Sequence, residues 1–154
     1  NTELYQQVQI TLGDAQKGLK EFSQAGQRVN TLMAEQTPEI RLSIANARLA
    51  SDQLKLLMTG VRRNPWRLLY QPGKKELERE LMYDAARSYA EAVSELRGAS
   101  ASLESITAAA EREGGGSGIT REHLAEIQKT MQDSFAKYKQ AEDKFLQMVL
   151  KDSQ

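Results

Sequence analysis

The chain has 154 residues, of which 27% are charged and 6% aromatic, with 21 basic residues against 21 acidic ones and no cysteine. Its length fits one domain. Balanced, interspersed charge excludes the basic stripe of a nucleic-acid binder, and the missing thiols exclude disulfides and thiolate metal sites.

Only three prolines interrupt the sequence, Pro38, Pro65 and Pro72, and the dominant residues are good helix formers. Val8, Leu12, Ala15, Leu19, Phe22, Gly26, Val29 and Met33 follow one another at alternating steps of four and three. That is the coiled-coil repeat, and it predicts a first helix over about 3–36. Thr37 and Pro38 read as the cap and first residue of a second helix, over 38–62. Its seam is Ile40, Ile44, Ala47, Ser51, Leu54, Met58 and Val61. The similar repeat on both sides of Pro38 implies a kink, with the second helix running on in nearly the same direction.

Residues 63–73 hold two prolines together with Trp66, Leu68, Leu69 and Tyr70, which predicts a reversal loop with docked apolar side chains. A third helix follows over 74–112, with the alanine-rich seam Leu77, Leu81, Ala85, Ala92, Leu96, Ala99, Leu103, Ile106 and Ala110. Gly114, Gly115, Gly116, Ser117 and Gly118 read as a flexible linker, native or introduced as a join. Thr120 then caps a C-terminal helix within 119–154 carrying Leu124, Ile127, Met131, Phe135, Tyr138, Phe145 and Val149. The expected fold is all-α, an elongated antiparallel helical hairpin or coiled-coil bundle of about four helices. Two helices in line would span on the order of 90 Å, and the third would return antiparallel. So long a chain leaves apolar seam uncovered, which favours self-association.

No group of residues has the makings of a catalytic, metal or cofactor site. His123 is the only histidine and reads as an exposed first-turn residue. Glu76, Glu78, Glu80, Asp84 and Glu91 alternate with Arg79 and Arg87, which is a solvated, salt-bridged face. No apolar run approaches the roughly 18 residues needed to cross a bilayer, and no signal peptide is visible. The chain opens on Asn1, so it reads as a processed or excised piece whose membrane anchor would lie upstream.

Two patches carry binding readings. Arg62, Arg63, Trp66, Arg67 and Tyr70 form either a lipid-headgroup patch or a structural corner plugged by the tryptophan. The seam Val8, Leu12, Leu19, Phe22 and Val29, with Gly18 and Gly26 on or beside it, faces either the chain's own helices or other subunits and lipid. Glycine is costly inside a helix, so its retention points to close approach of another chain or a ligand.

Over residues 48–97 the stretches Arg48-Leu49-Ala50-Ser51-Asp52-Gln53-Leu54-Lys55-Leu56, Arg62-Arg63-Asn64-Pro65-Trp66-Arg67-Leu68-Leu69-Tyr70 and Glu78-Arg79-Glu80-Leu81-Met82-Tyr83-Asp84-Ala85-Ala86-Arg87 resemble the helical region of certain mammalian-cell-entry (MCE) family proteins. The resemblance implies a non-enzymatic part of a bacterial envelope lipid transporter on the periplasmic side. Its partners would be further subunits in a ring, commonly hexameric, and phospholipid or another lipid, with membrane attachment through a segment absent from this chain. The helices would form or brace a hydrophobic conduit between membranes. The alternative is a structural coiled-coil adaptor or scaffold mediating protein–protein association.

Overall fold

The computed structural model describes residues 2–33, 37–63, 76–113 and 121–151. Among them stand four helices and no strand: α1 (Thr2–Leu32), α2 (Pro38–Arg63), α3 (Glu76–Arg112) and α4 (Arg121–Lys151). The start of α2 follows from its sequence. Pro38 takes the first helical position, where its missing N–H costs nothing, and the Thr37 carbonyl accepts from Ile40 N and Arg41 N at 3.1 Å. The reversal loop and the glycine linker lie outside the described residues, apart from Arg63, which closes α2. Thr120 lies outside them as well.

Contacts between the helices fix their directions. Gln16 Nε2 donates to Ser51 Oγ at 3.0 Å, and Gly26 sits against Ile44. Numbers rise along α1 as they fall along α2, so the two are antiparallel. Arg97 pairs with Asp14 and Glu21, whereas Arg28 pairs with Glu104 and Glu111, so α3 runs parallel to α1. Tyr89 meets Phe145 while Glu95 meets Lys137, which sets α4 antiparallel to α3. The result is an up-down-up-down bundle in which α1 packs on α2 and α3, and α4 packs on α3 and α2.

This corrects the expected topology. Helix α2 folds back on α1 instead of continuing it, and α3 returns parallel to α1. A heptad seam carries no direction, and proline at the first helical position suits a reversal as well as a kink. Folding back shortens the molecule: α1 is about 46 Å long and α3 about 55 Å, about half the in-line span.

It also removes the surplus seam. One contiguous apolar core joins all four helices, with Leu19, Phe22, Ala47, Leu96, Ile127 and Met131 among its fully buried members. Burial of each large aliphatic or aromatic side chain contributes about 1.5–3 kcal/mol. Along α3 the expected seam is corrected at several positions. Leu81 is half exposed and Met82 takes its core position, and Tyr89 and Val93 join the core. Ser100 and Thr107 are buried beside the half-buried Ala99 and Ile106, while the Leu77 side chain lies outside the described residues. A Cβ on Gly26 would stand 2.8 Å from Met131 Cε and 2.9 Å from Ile44 Cγ1. The close approach predicted from the glycines is therefore made by α2 and α4 of the same chain at Gly26, and by the Arg97 side chain at Gly18.

Two measurements check this arrangement. With cysteines placed at Gln16 and Ser51 in this cysteine-free chain, a short bifunctional maleimide is expected to link them within one molecule. An in-line α1–α2 would hold them on the order of 50 Å apart and give no link. Phe22→Asp buries an unpaired carboxylate, so the cooperative melting transition followed by far-UV circular dichroism is expected to disappear.

Candidate functional site

Val8, Leu12, Leu19, Phe22 and Val29 are all buried in the chain's own core. Phe22 stacks on Phe135 of α4 across the diagonal, with ring centroids 5.8 Å apart. The stripe read as lipid- or subunit-facing is thus covered by the chain's own helices: α2 and α3 pack on α1, and α4 reaches it at Phe22. Arg62 and Arg63 end α2, but their side chains, together with Arg67, Trp66 and Tyr70, lie outside the described residues. His123 is exposed in the first turn of α4. Among the described residues no cluster of histidine and carboxylate side chains is arranged to hold a metal ion, and no helix is long and apolar enough to cross a membrane.

The densest concentration of chemistry is a polar chain inside the α3–α4 interface. Tyr138 donates its hydroxyl to the Glu142 carboxylate. Tyr89 Oη lies 3.0 Å from Tyr138 Oη and, with that proton committed, is the donor of the pair. On the other side Lys139 Nζ reaches Glu142 at 3.0 Å, Asp143 at 3.2 Å and Gln53 of α2 at 3.3 Å. Glu142 is 1% exposed, while the Lys139 side chain is about one-third exposed (35%). The aromatic rings are packed around this chain, with Tyr89 stacked on Phe145 at 5.3 Å and tilted against Tyr138 at 5.7 Å.

A buried carboxylate is expensive unless paired and hydrogen-bonded, and here it is both. Burial pushes both tyrosine hydroxyls well above their ordinary range. The negative charge of Glu142 adds to the effect for both. The chain fixes how α4 sits against α3.

Residue spacing held a signal for this network. In the seams read from sequence, α3 steps by seven from Ala85 to Ala92, and α4 steps by seven from Tyr138 to Phe145. Tyr89 and Glu142 occupy the two skipped core positions.

Two ion-pair straps tie α1 to α3 at the surface. Arg97 Nη2 lies 3.1 Å from Glu21, and Arg28 bridges Glu104 and Glu111. The hydrogen bond from Arg28 holds the Glu111 carboxyl below its usual range. Partly exposed pairs of this kind set register more than stability. A groove of about 460 Å³ runs past Asp14, Glu21 and Arg97, and another of about 480 Å³ lies between α1 and α2. Both are open furrows on the outside of the bundle.

No family model, curated protein or solved structure matches this chain.

The tyrosine chain gives an alkaline limit to stability. Tyrosine ionises near pH 10 in the unfolded chain, and Tyr89 and Tyr138 are held above that in the fold. Their contribution is complete below about pH 10 and is lost as pH rises beyond it, by about 1.4 kcal/mol per pH unit for each tyrosine. Urea unfolding across this range is expected to show that fall, and Tyr89→Phe should halve its slope. Tyr138→Phe is expected to cost about 1–3 kcal/mol even at neutral pH, because it strips Glu142 of a buried donor.

Proposed function

We propose that this chain is the helical part of an MCE-type envelope lipid transporter, non-enzymatic, bracing the assembly rather than lining its conduit. The observation that carries the choice of bracing over lining is the closed core. Leu12, Leu19, Phe22 and Val29 are at most 1% exposed, so the most apolar stripe of the chain is already occupied by its own helices. What supports the family reading is the resemblance over residues 48–97, above all the Asn64-Pro65-Trp66-Arg67-Leu68-Leu69-Tyr70 block. In this reading the rod stands on the periplasmic side beside copies of itself in a ring, and phospholipid passes along surfaces other than its core.

The second reading is a scaffold domain that joins other proteins without a lipid role. It is favoured by the leucines that α2 turns to solvent. A transmembrane helix and a short all-β stretch preceding this domain in its gene support the transporter; a cytosolic helical array supports the scaffold.

Native mass spectrometry of the intact protein carrying this domain tests the proposal, because it reports subunit number and bound lipid together. A multi-subunit ring holding phospholipid is expected, and a lipid-free monomer would overturn it. A photoreactive phenylalanine analogue at position 22 separates bracing from lining. Bracing expects adducts to α4 of the same chain, and lining expects adducts to lipid.

A further inference from the structure

Helix α2 carries a second apolar stripe on the face opposite its core. Leu42, Leu49 and Leu56 are 62%, 58% and 77% exposed. They recur at steps of seven, over about 21 Å of helix. Each is immediately preceded by a basic residue, Arg41, Arg48 or Lys55, so a basic row of the same period flanks the leucine row. Exposed Ala45 continues the apolar stripe between the first two leucines, and Asp52 stands between the last two. Along residues 38–59 of α2 the basic residues Arg41, Arg48 and Lys55 outnumber the acidic ones, Glu39 and Asp52. The other large exposed apolar side chains among the described residues, Ile10 and Leu81, stand singly on α1 and α3.

We propose that the outer face of α2 docks an amphipathic α-helix of a different protein, with aliphatic residues at heptad spacing and acidic residues along the edge that meets Arg48 and Lys55. A row at every seventh residue is one of the two rows of a heptad seam, so its successive knobs meet the same facing helix; Ala45 stands in the second row, and Asp52 breaks it. The basic row sets the charge of the partner.

A second copy of this chain fits less well. Antiparallel pairing of α2 with itself sets the basic row against its own image, and parallel pairing sets it against the neutral Asn46 and Gln53. No other described face offers a leucine row with acidic edges. A membrane surface fits less well too: a helix lying in lipid needs a broad apolar face, whereas this one is a single row interrupted by Asp52. The inference goes beyond the proposed bracing role and does not depend on the lipid assignment.

The probe is a synthetic four-heptad peptide with leucine in its seam and glutamate on both edges, compared with the same peptide carrying lysine on the edges. Fluorescence anisotropy with the 154-residue chain is expected to show binding of the glutamate peptide at least tenfold tighter than that of the lysine peptide. The affinity should fall as salt is raised through the range where exposed charges are screened. Leu49→Ser with Leu56→Ser is expected to weaken binding at least tenfold while leaving the melting transition in place, because both side chains lie outside the core. Arg48→Glu with Lys55→Glu should reverse the preference toward the lysine peptide, a result that a purely structural role for these residues would not produce. Equal affinity for the two peptides, or binding of neither, overturns the proposal. So does sedimentation of the chain as a dimer that the leucine substitutions dissolve, or binding to anionic phosphatidylglycerol vesicles that the glutamate peptide fails to displace.

Discussion

The apolar stripe of α1 is the surface on which the other three helices are organised. From Val8 to Val29 its core positions are almost wholly shielded from water, and no single neighbouring helix is wide enough to shield them. Helix α2 covers one flank, α3 the other, and α4 closes the diagonal through the Phe22–Phe135 stack. Gly26 is the position at which this geometry is tightest, since any side chain there would meet Ile44 and Met131 together. The small residue lets three helices converge at one level, and the ion-pair straps from Arg28 and Arg97 then set the α1–α3 register on the outside.

Within that apolar frame the Tyr89–Tyr138–Glu142–Lys139 chain is the main departure from apolar packing. Hydrophobic contact is non-directional and tolerates small slides of one helix on another. A buried carboxylate held by a specific hydroxyl and a specific ammonium does not, because a slide leaves it unsatisfied. The chain thus lends directional specificity to the α3–α4 contact.

A closed bundle has a functional consequence. Apolar surface spent inside the molecule is not offered to lipid or to neighbours, so any association must use the outside. On the outside the one periodic apolar feature among the described residues is the leucine row of α2, and it runs beside a row of three basic residues, Arg41, Arg48 and Lys55.

Helix formation and the apolar character of the seams were set locally and are legible in the residues. Steps of three and four place Leu12, Leu19 and Phe22 on one face whatever the helix packs against, and Pro38 starts a helix wherever that helix points. Even the polar chain left its trace, as gaps of seven in two otherwise regular seams. The direction of α2 was decided elsewhere. A heptad row is complementary to another such row running either way, so continuing straight and turning back bury equally plausible partners on paper. Only the joint packing of four helices selects the return, since it alone covers the α1 stripe from both flanks and the diagonal at once. The same collective closure decided that the most apolar stripe would be core and that Leu42, Leu49 and Leu56 would be left outside. Which of two apolar faces a helix buries depends on the neighbours that reach it, and those belong to the tertiary structure.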